Sequence, residues 1–237
     1  NHVVLMLDAV KQSSRQLCFK QQELYGAELC KQEYLYKMLQ NEINPHFMYN
    51  TLNCIYGMAV SRDEYDIGEM CSSLSSMLQY ALEDETVVTV EEEMNIVKQY
   101  LSIMKMRFGD KVKYEINIPK AAENKKIIRM TIQPIVENAF NHGKFYNKKD
   151  GILKLGIKLK KDMFEIDICD NGNGIDGEKV LKMNKELEKN LLSTKTKGGI
   201  GISNINNRIK SEFGNEYGVK ISSKPGEYTM IKILYPQ

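Results

Sequence analysis

The stretch VENAFNHG sets Glu137, Asn138, Asn141 and His142 within about one helical turn of each other. Asn138 and His142, four residues apart, share a helix face. An uncharged amide oxygen is a good hard ligand for Mg²⁺, which keeps most of its waters and takes its remaining ligands from phosphates. The plain alternative is a helix C-terminus with a polar face, closed by Gly143 as a left-handed cap. In DNGNGID, Asp170 follows directly on a strand and can accept a hydrogen bond from an exocyclic amine. Gly172 and Gly174 let a ring come closer to backbone than a Cβ would allow. The alternative here is an ordinary turn, since Asn-Gly repeats are strong turn formers.

In TKTKGGIGISN, Gly198, Gly199 and Gly201 lead into a helix whose free N–H groups attract phosphate, and Lys195 and Lys197 add positive charge. It is not a P-loop, because no Gly-Lys-Ser/Thr closes it, and a flexible linker is the other reading. A fourth feature is INPHF, where Pro45 interrupts a helical pattern directly before His46. That histidine, one of three in the chain, could equally be a satisfied polar residue on a helix surface. Together the pieces are the parts of an ATP site: an amide for metal, a carboxylate for the base and a glycine loop for phosphates.

These residues need elements to hold them, and the chain changes character near residue 110. Before it, strand and turn signals are nearly absent. Val3, Val10, Leu17 and Leu24 recur every seven residues, an imperfect heptad that suits a parallel coiled coil or a helix packing on a partner. A helical region spans 51–82 with a candidate break at Ser61-Arg62-Asp63. Another opens at Thr89 as N-cap, with Glu92 completing a capping box and Gly109 as the stop. Beyond, VKYEINI, ILKLGIKLK, MFEIDIC, VKISSK and YTMIKILYP alternate as half-buried strands. Helices are expected around 132–143, 177–192 and 201–214. The fold class is therefore α+β: a helical hairpin, dimeric as a four-helix bundle with a coiled-coil lead-in, then an apparently antiparallel sheet packed with helices as an α/β sandwich.

Composition excludes little else. A net charge of +2 gives no reason to expect nucleic acid as a partner. Five cysteines without CxxC spacing argue against a disulfide framework or a zinc site and suit a reducing cytosol. No apolar run approaches the roughly 20 residues that span a bilayer. The chain begins at Asn1, so a piece of a longer protein is expected, with any membrane segment upstream.

With these motifs in order, the chain resembles sensor histidine kinases of the LytS/YesM type, in which a helical dimerisation and phosphoacceptor domain precedes a Bergerat (GHKL) ATP-binding domain. LQNEINPHFMYNTLN resembles that family's phosphoacceptor signature, VENAFNHG its N box, DNGNGI its G1 box and GGIGISNINNRI its G2 box. SSMLQYAL and EEEMNIVKQYLSIMKMRFGDKV resemble the segments between them, so the likeness runs from about residue 35 to the C-terminus. It implies a signalling helix over 1–38, the dimerisation and phosphoacceptor domain over 39–110 and the ATP-binding domain over 111–237.

It also implies roles. His46 accepts the γ-phosphoryl group of ATP; Asn138 coordinates Mg²⁺; Glu137 polarises the nucleophile; Asn141 and His142 line the phosphate side. Asp170 binds the adenine amine, Gly172 and Gly174 shape the base pocket, and Lys197, Gly199 and Gly201 border the phosphates beneath a lid over roughly 176–200. The implied partners are a second copy of the chain and the receiver domain of a response regulator. The implied setting is the cytoplasmic portion of a bacterial membrane sensor. Three departures stand out: Met48 for the usual leucine, a volume-conserving change; Glu42 for glutamine; and GEYT for the usual Gly-Thr ending. Two other classes remain open on the residues, a GHKL ATPase or serine kinase and a non-catalytic nucleotide-binding dimer module.

Overall fold

The computed structural model describes residues 45–188 and 200–237, with side chains described from Phe47 in the first span and from Gly201 in the second. The expected coiled coil over 1–38 and the Asn44 side of the expected kink lie outside the described residues. Contacts divide the chain into two units, Asn1–Thr51 and Leu52–Gln237.

Helix α1 is Pro45–Val60 and α2 is Tyr65–Leu82. The break falls where Ser61-Arg62-Asp63 was expected to place it. Asp63 takes a φ of 57°, which a short polar side chain tolerates, and Glu64 N–H returns to Ala59 O at 2.9 Å. Strand β1 (Val87–Thr89) runs into α3 (Val90–Phe108). The capping box is present: Thr89 Oγ1 accepts from Glu92 N–H at 3.2 Å, and Thr89 N–H donates to Glu92 Oε2 at 2.7 Å. Gly109 ends the helix at a φ of 62°, a value that favours glycine.

The remaining elements are β2 (Tyr114–Asn117), α4 (Lys120–Glu123), β3 (Lys126–Ile128), α5 (Ile132–Asn138), β4 (Leu153–Leu159), β5 (Met163–Asp170), α6 (Gly177–Glu188), α7 (Ile200–Phe213), β6 (Gly218–Lys224) and β7 (Tyr228–Pro236). The main sheet has the order β2-β4-β5-β7-β6. Its strands were expected to be antiparallel throughout, and the sheet is mixed, because β2 pairs parallel with β4. The connection between those two carries α4, β3 and α5, long enough for a crossover that a short turn could not make. A second, two-stranded sheet joins β1 to β3. Three-residue strands are too short for alternation to reveal them.

Alternation decides the layers. Phe164, Ile166 and Ile168 of β5 and Ile231, Ile233 and Tyr235 of β7 are buried, and their even spacing puts each set on one sheet face. The intervening positions form a ladder of ions: Lys158 to Asp167 at 2.6 Å, Lys160 to Glu165 at 3.0 Å and Lys232 to Glu165 at 2.8 Å. Edge strand β6 is occupied by side-chain amides. Asn184 of α6 accepts from Ile221 N–H at 3.0 Å and donates to Ile221 O at 2.8 Å, while Asn206 of α7 accepts from Val219 N–H at 3.0 Å. Asn206 also donates to Leu187 O at 3.0 Å, tying the end of α6 to α7. The α+β sandwich is thus built from a mixed sheet with helices on its apolar face.

Candidate functional site

Helix α5 carries the first group of predicted residues. Past Asn138 the backbone widens into a π turn, Ala139–Gly143, closed by Lys144 N–H donating to Ala139 O at 2.8 Å. Such turns re-aim side chains and are frequent at functional sites. Asn138 and His142 line one cavity, whereas Asn141 is exposed and lies outside the lining. Glu137 also lies outside it, and accepts from Gln133 Nε2 at 2.9 Å, one turn earlier. The left-handed residue that ends this run is Lys144, with φ 51°, rather than Gly143. Gly143 is needed for another reason: a Cβ there would stand 2.5 Å from Asp170 Oδ1.

Asp170 closes β5. Its side chain is buried, and Oδ1 accepts from Gly172 N–H at 2.9 Å. Burial pushes its carboxyl up to about 6, opposed by the Gly172 hydrogen bond and the Lys148 ammonium. A raised carboxylate in a cavity is short of donors and suited to accept one from a ligand. The turn after it is welded to α5's extension: Asn173 N–H donates to Gly143 O at 2.7 Å and Asn173 Nδ2 to His142 O at 3.0 Å. Gly174, at φ 68°, passes so close to Lys224 O that a side chain has no room. DNGNG is therefore a turn, and one whose shape serves the cavity.

The cavity holds about 420 Å³. Asp170 shares it with an apolar wall that includes Ile135, Ile168, Met183, Ile202 and Ile231, and with Asn138 and His142. Asp176 lines it too, its Oδ1 already accepting from Glu178 N–H at 3.0 Å, which leaves the buried Asp170 carboxylate as the candidate acceptor for a purine amine in an apolar slot. Lys179 of α6 and Thr229 of β7 also line it. Sequence reasoning missed both. Thr229 pairs with Asp170 across β5 and β7, so the GEYT hairpin still places a threonine in the cavity lining. Lys179 gave no signal beyond a charge on a polar helix.

Gly172 is buried beside Gly143, while Gly201 begins α7 exposed and outside the lining, with Ile202 in it. Lys195, Lys197, Gly198 and Gly199 lie outside the described residues, as does the side chain of His46. Among the described residues no group of three His, Cys, Asp or Glu could hold a metal by itself.

The chain is similar to known proteins over most of its length. Residues 34–112 match the family model "Histidine kinase", and residues 123–237 match "Histidine kinase-, DNA gyrase B-, and HSP90-like ATPase". The chain is 30% identical to the sensor histidine kinase YesM of Bacillus subtilis over 99% of its length, covering 38% of YesM. It is 28% identical to the sensor protein kinase HptS of Staphylococcus aureus, over 84% of this chain and 38% of that one. The chain thus spans well under half the length of these relatives. A histidine kinase domain from Erythrobacter litoralis is similar at a TM-score of 0.47 and 12% identity, over 81% of this chain and 95% of that one. With both family models in order along one chain and YesM aligned over 99% of it, the chain belongs to the sensor histidine kinases of the LytS/YesM type.

Proposed function

We propose that this chain binds ATP in the cavity between α5 and β5, phosphorylates His46 and passes the phosphoryl group to an aspartate of a response-regulator receiver domain. The observation that carries the reading is the buried Asp170 carboxylate in one apolar cavity with Asn138 and His142. Asp170 takes the adenine amine, Gly172 and Gly174 shape the base pocket through the tight turn they allow, and Asn138 and His142 face the phosphates. Asn141, Lys197, Gly199 and Gly201 complete the phosphate side.

Transfer asks for an in-line nucleophile, charge neutralisation and little covalent help. A neutral imidazole of His46 offers its lone pair near pH 7. A P–N bond forms, the bond from the γ-phosphorus to the bridging oxygen breaks, and ADP leaves with the electron pair. Glu137, held by Gln133, polarises the imidazole through its second nitrogen. Asn138 lines the cavity and its amide oxygen is a hard ligand, which fits a Mg²⁺ ion held otherwise by phosphates and water. When bound it would neutralise the phosphates.

In this reading residues 1–38 carry the incoming signal, 39–110 serve dimerisation and phosphate acceptance, and 111–237 bind ATP. The homodimer is supported by the exposed apolar residues of α1 and α2, among them Phe47, Ile55, Met58, Tyr65 and Ile67. No described helix is long and apolar enough to cross a membrane; an upstream segment anchors the whole protein, with this portion in the cytoplasm. Incubation with γ-labelled ATP and Mg²⁺ tests the reading. Acid-labile, base-stable label is expected on the wild type and absent from His46→Ala. Steady phosphate release without labelled protein would sink it.

A further inference from the structure

A carboxylate outside the cavity is more deeply buried than any within it. Glu93, on α3, is 0% exposed. Its Oε1 accepts from the backbone N–H groups of Thr131 at 2.9 Å and Ile132 at 3.0 Å, with Gln133 N–H at 3.4 Å. Its Oε2 accepts from Met130 N–H at 2.9 Å and from the Tyr80 hydroxyl at 2.6 Å. The backbone donors open α5, and a helix cannot satisfy its own first N–H groups. Thr131 stands at the cap position, yet its hydroxyl donates to Ile128 O at 2.6 Å. The helix that bears Asn138 and Glu137 therefore takes its cap from α3, and that cap is held in turn from α2.

Each end of this chain of bonds is anchored. At the α2 end, the Arg129 guanidinium lies 4.3 Å over the Tyr80 ring and donates to Tyr80 O at 3.0 Å. At the other end, Gln133 donates through Nε2 to Glu137, while its Oε1 is buried without a partner among the described residues. An unmet buried acceptor destabilises the fold, a cost that leucine would avoid. Turning the amide over would face its oxygen toward the Glu137 carboxylate, so the bond to Glu137 fixes its orientation.

We propose that Tyr80, Glu93 and Gln133 are positioning residues for the phosphoryl transfer: a buried relay that sets Glu137 according to where the end of α2 stands. This rests on the kinase reading above. A shift of α2 moves the Tyr80 hydroxyl, re-aims the Glu93 carboxylate and with it the first turn of α5, from which Gln133 reaches Glu137. The hairpin and the reacting group are then coupled without any contact to the nucleotide.

The test uses the full chain with two small deletions of function. Tyr80→Phe removes the hydroxyl and keeps the ring under Arg129; Gln133→Leu removes the amide. Each is expected to lower kcat for His46 labelling at least about fivefold with KM for ATP unchanged within about twofold, and the double variant to be no slower than the slower single one, as in one coupled network. Hydrogen exchange, which needs no phosphorylation, should speed up at Met130, Thr131 and Ile132 in Tyr80→Phe while β5 and β7 keep their protection. Losses that multiply in the double variant, a rise in KM matching the fall in kcat, or unchanged exchange at those amides would each overturn the relay. Failure of the kinase reading shows differently, as no label on the wild type, and the exchange result then still decides whether the relay exists.

Discussion

Asp170 carries opposite consequences for binding and for stability. Its carboxyl is pushed up to about 6 by burial, and the proposed contact to the adenine amine needs the charged form. ATP affinity is therefore expected to fall about tenfold per pH unit below about 6, a slope Asp170→Asn should lack. Stability of the nucleotide-free chain moves the other way. A raised native pKa favours folding fully below the unfolded value of about 3.9 and loses that contribution as pH rises through the native one. Melting of wild type against Asp170→Asn between pH 7 and 5 should show the wild type gaining on the variant as pH falls. Asp170 was legible because a strand led straight into it; Thr229, its cross-strand neighbour, was not, because pairing register is absent from local pattern.

Among the elements, α6 depends on the side-chain amides that hold it to its neighbours. Asn206 is 1% exposed and joins Leu187 O to Val219 N–H, so it binds α6, α7 and β6 together. In Asn206→Ala, Lys210 still serves Leu187 O, through its bond of 2.7 Å, but Val219 N–H loses its acceptor. A loss of about 1–3 kcal/mol is expected from the urea midpoint. ATP should also bind more weakly, because Lys179 and Met183 reach the cavity from α6. The helix itself was legible from its polar periodicity, and α3 from its capping box. The amide clasp was not, since an asparagine in a polar helix is the same letter whether it meets water or a strand edge.

For the whole molecule, the hairpin holds most of the large exposed apolar side chains among the described residues. Ile55 is 41% exposed and Met58 56% exposed on α1, and Ile67 and Leu74 continue the pattern on α2. A two-copy bundle would bury them. Sedimentation equilibrium is expected to give a dimer for the wild type and a monomer for Ile55→Glu combined with Met58→Glu. ATP binding should survive in that double variant, as neither residue lines the cavity. A monomeric wild type would refute the bundle.

The sequence alone determined the order of the longer elements, the position of the helical break and the capping box of α3. Each rests on interactions between residues a few positions apart, where spacing carries the physics. Tertiary structure alone decided the parallel pairing of β2 with β4, the π turn after Asn138, and the use of Glu93 as the cap of a helix 37 or more positions away. Glu93 is the plainest case. Beside Glu91 and Glu92 it is one more acid in the first turn of α3, and only burial against the open end of α5 makes it different. A buried carboxylate is tolerated where donors already wait for it, and where they wait depends on the folding of the whole chain.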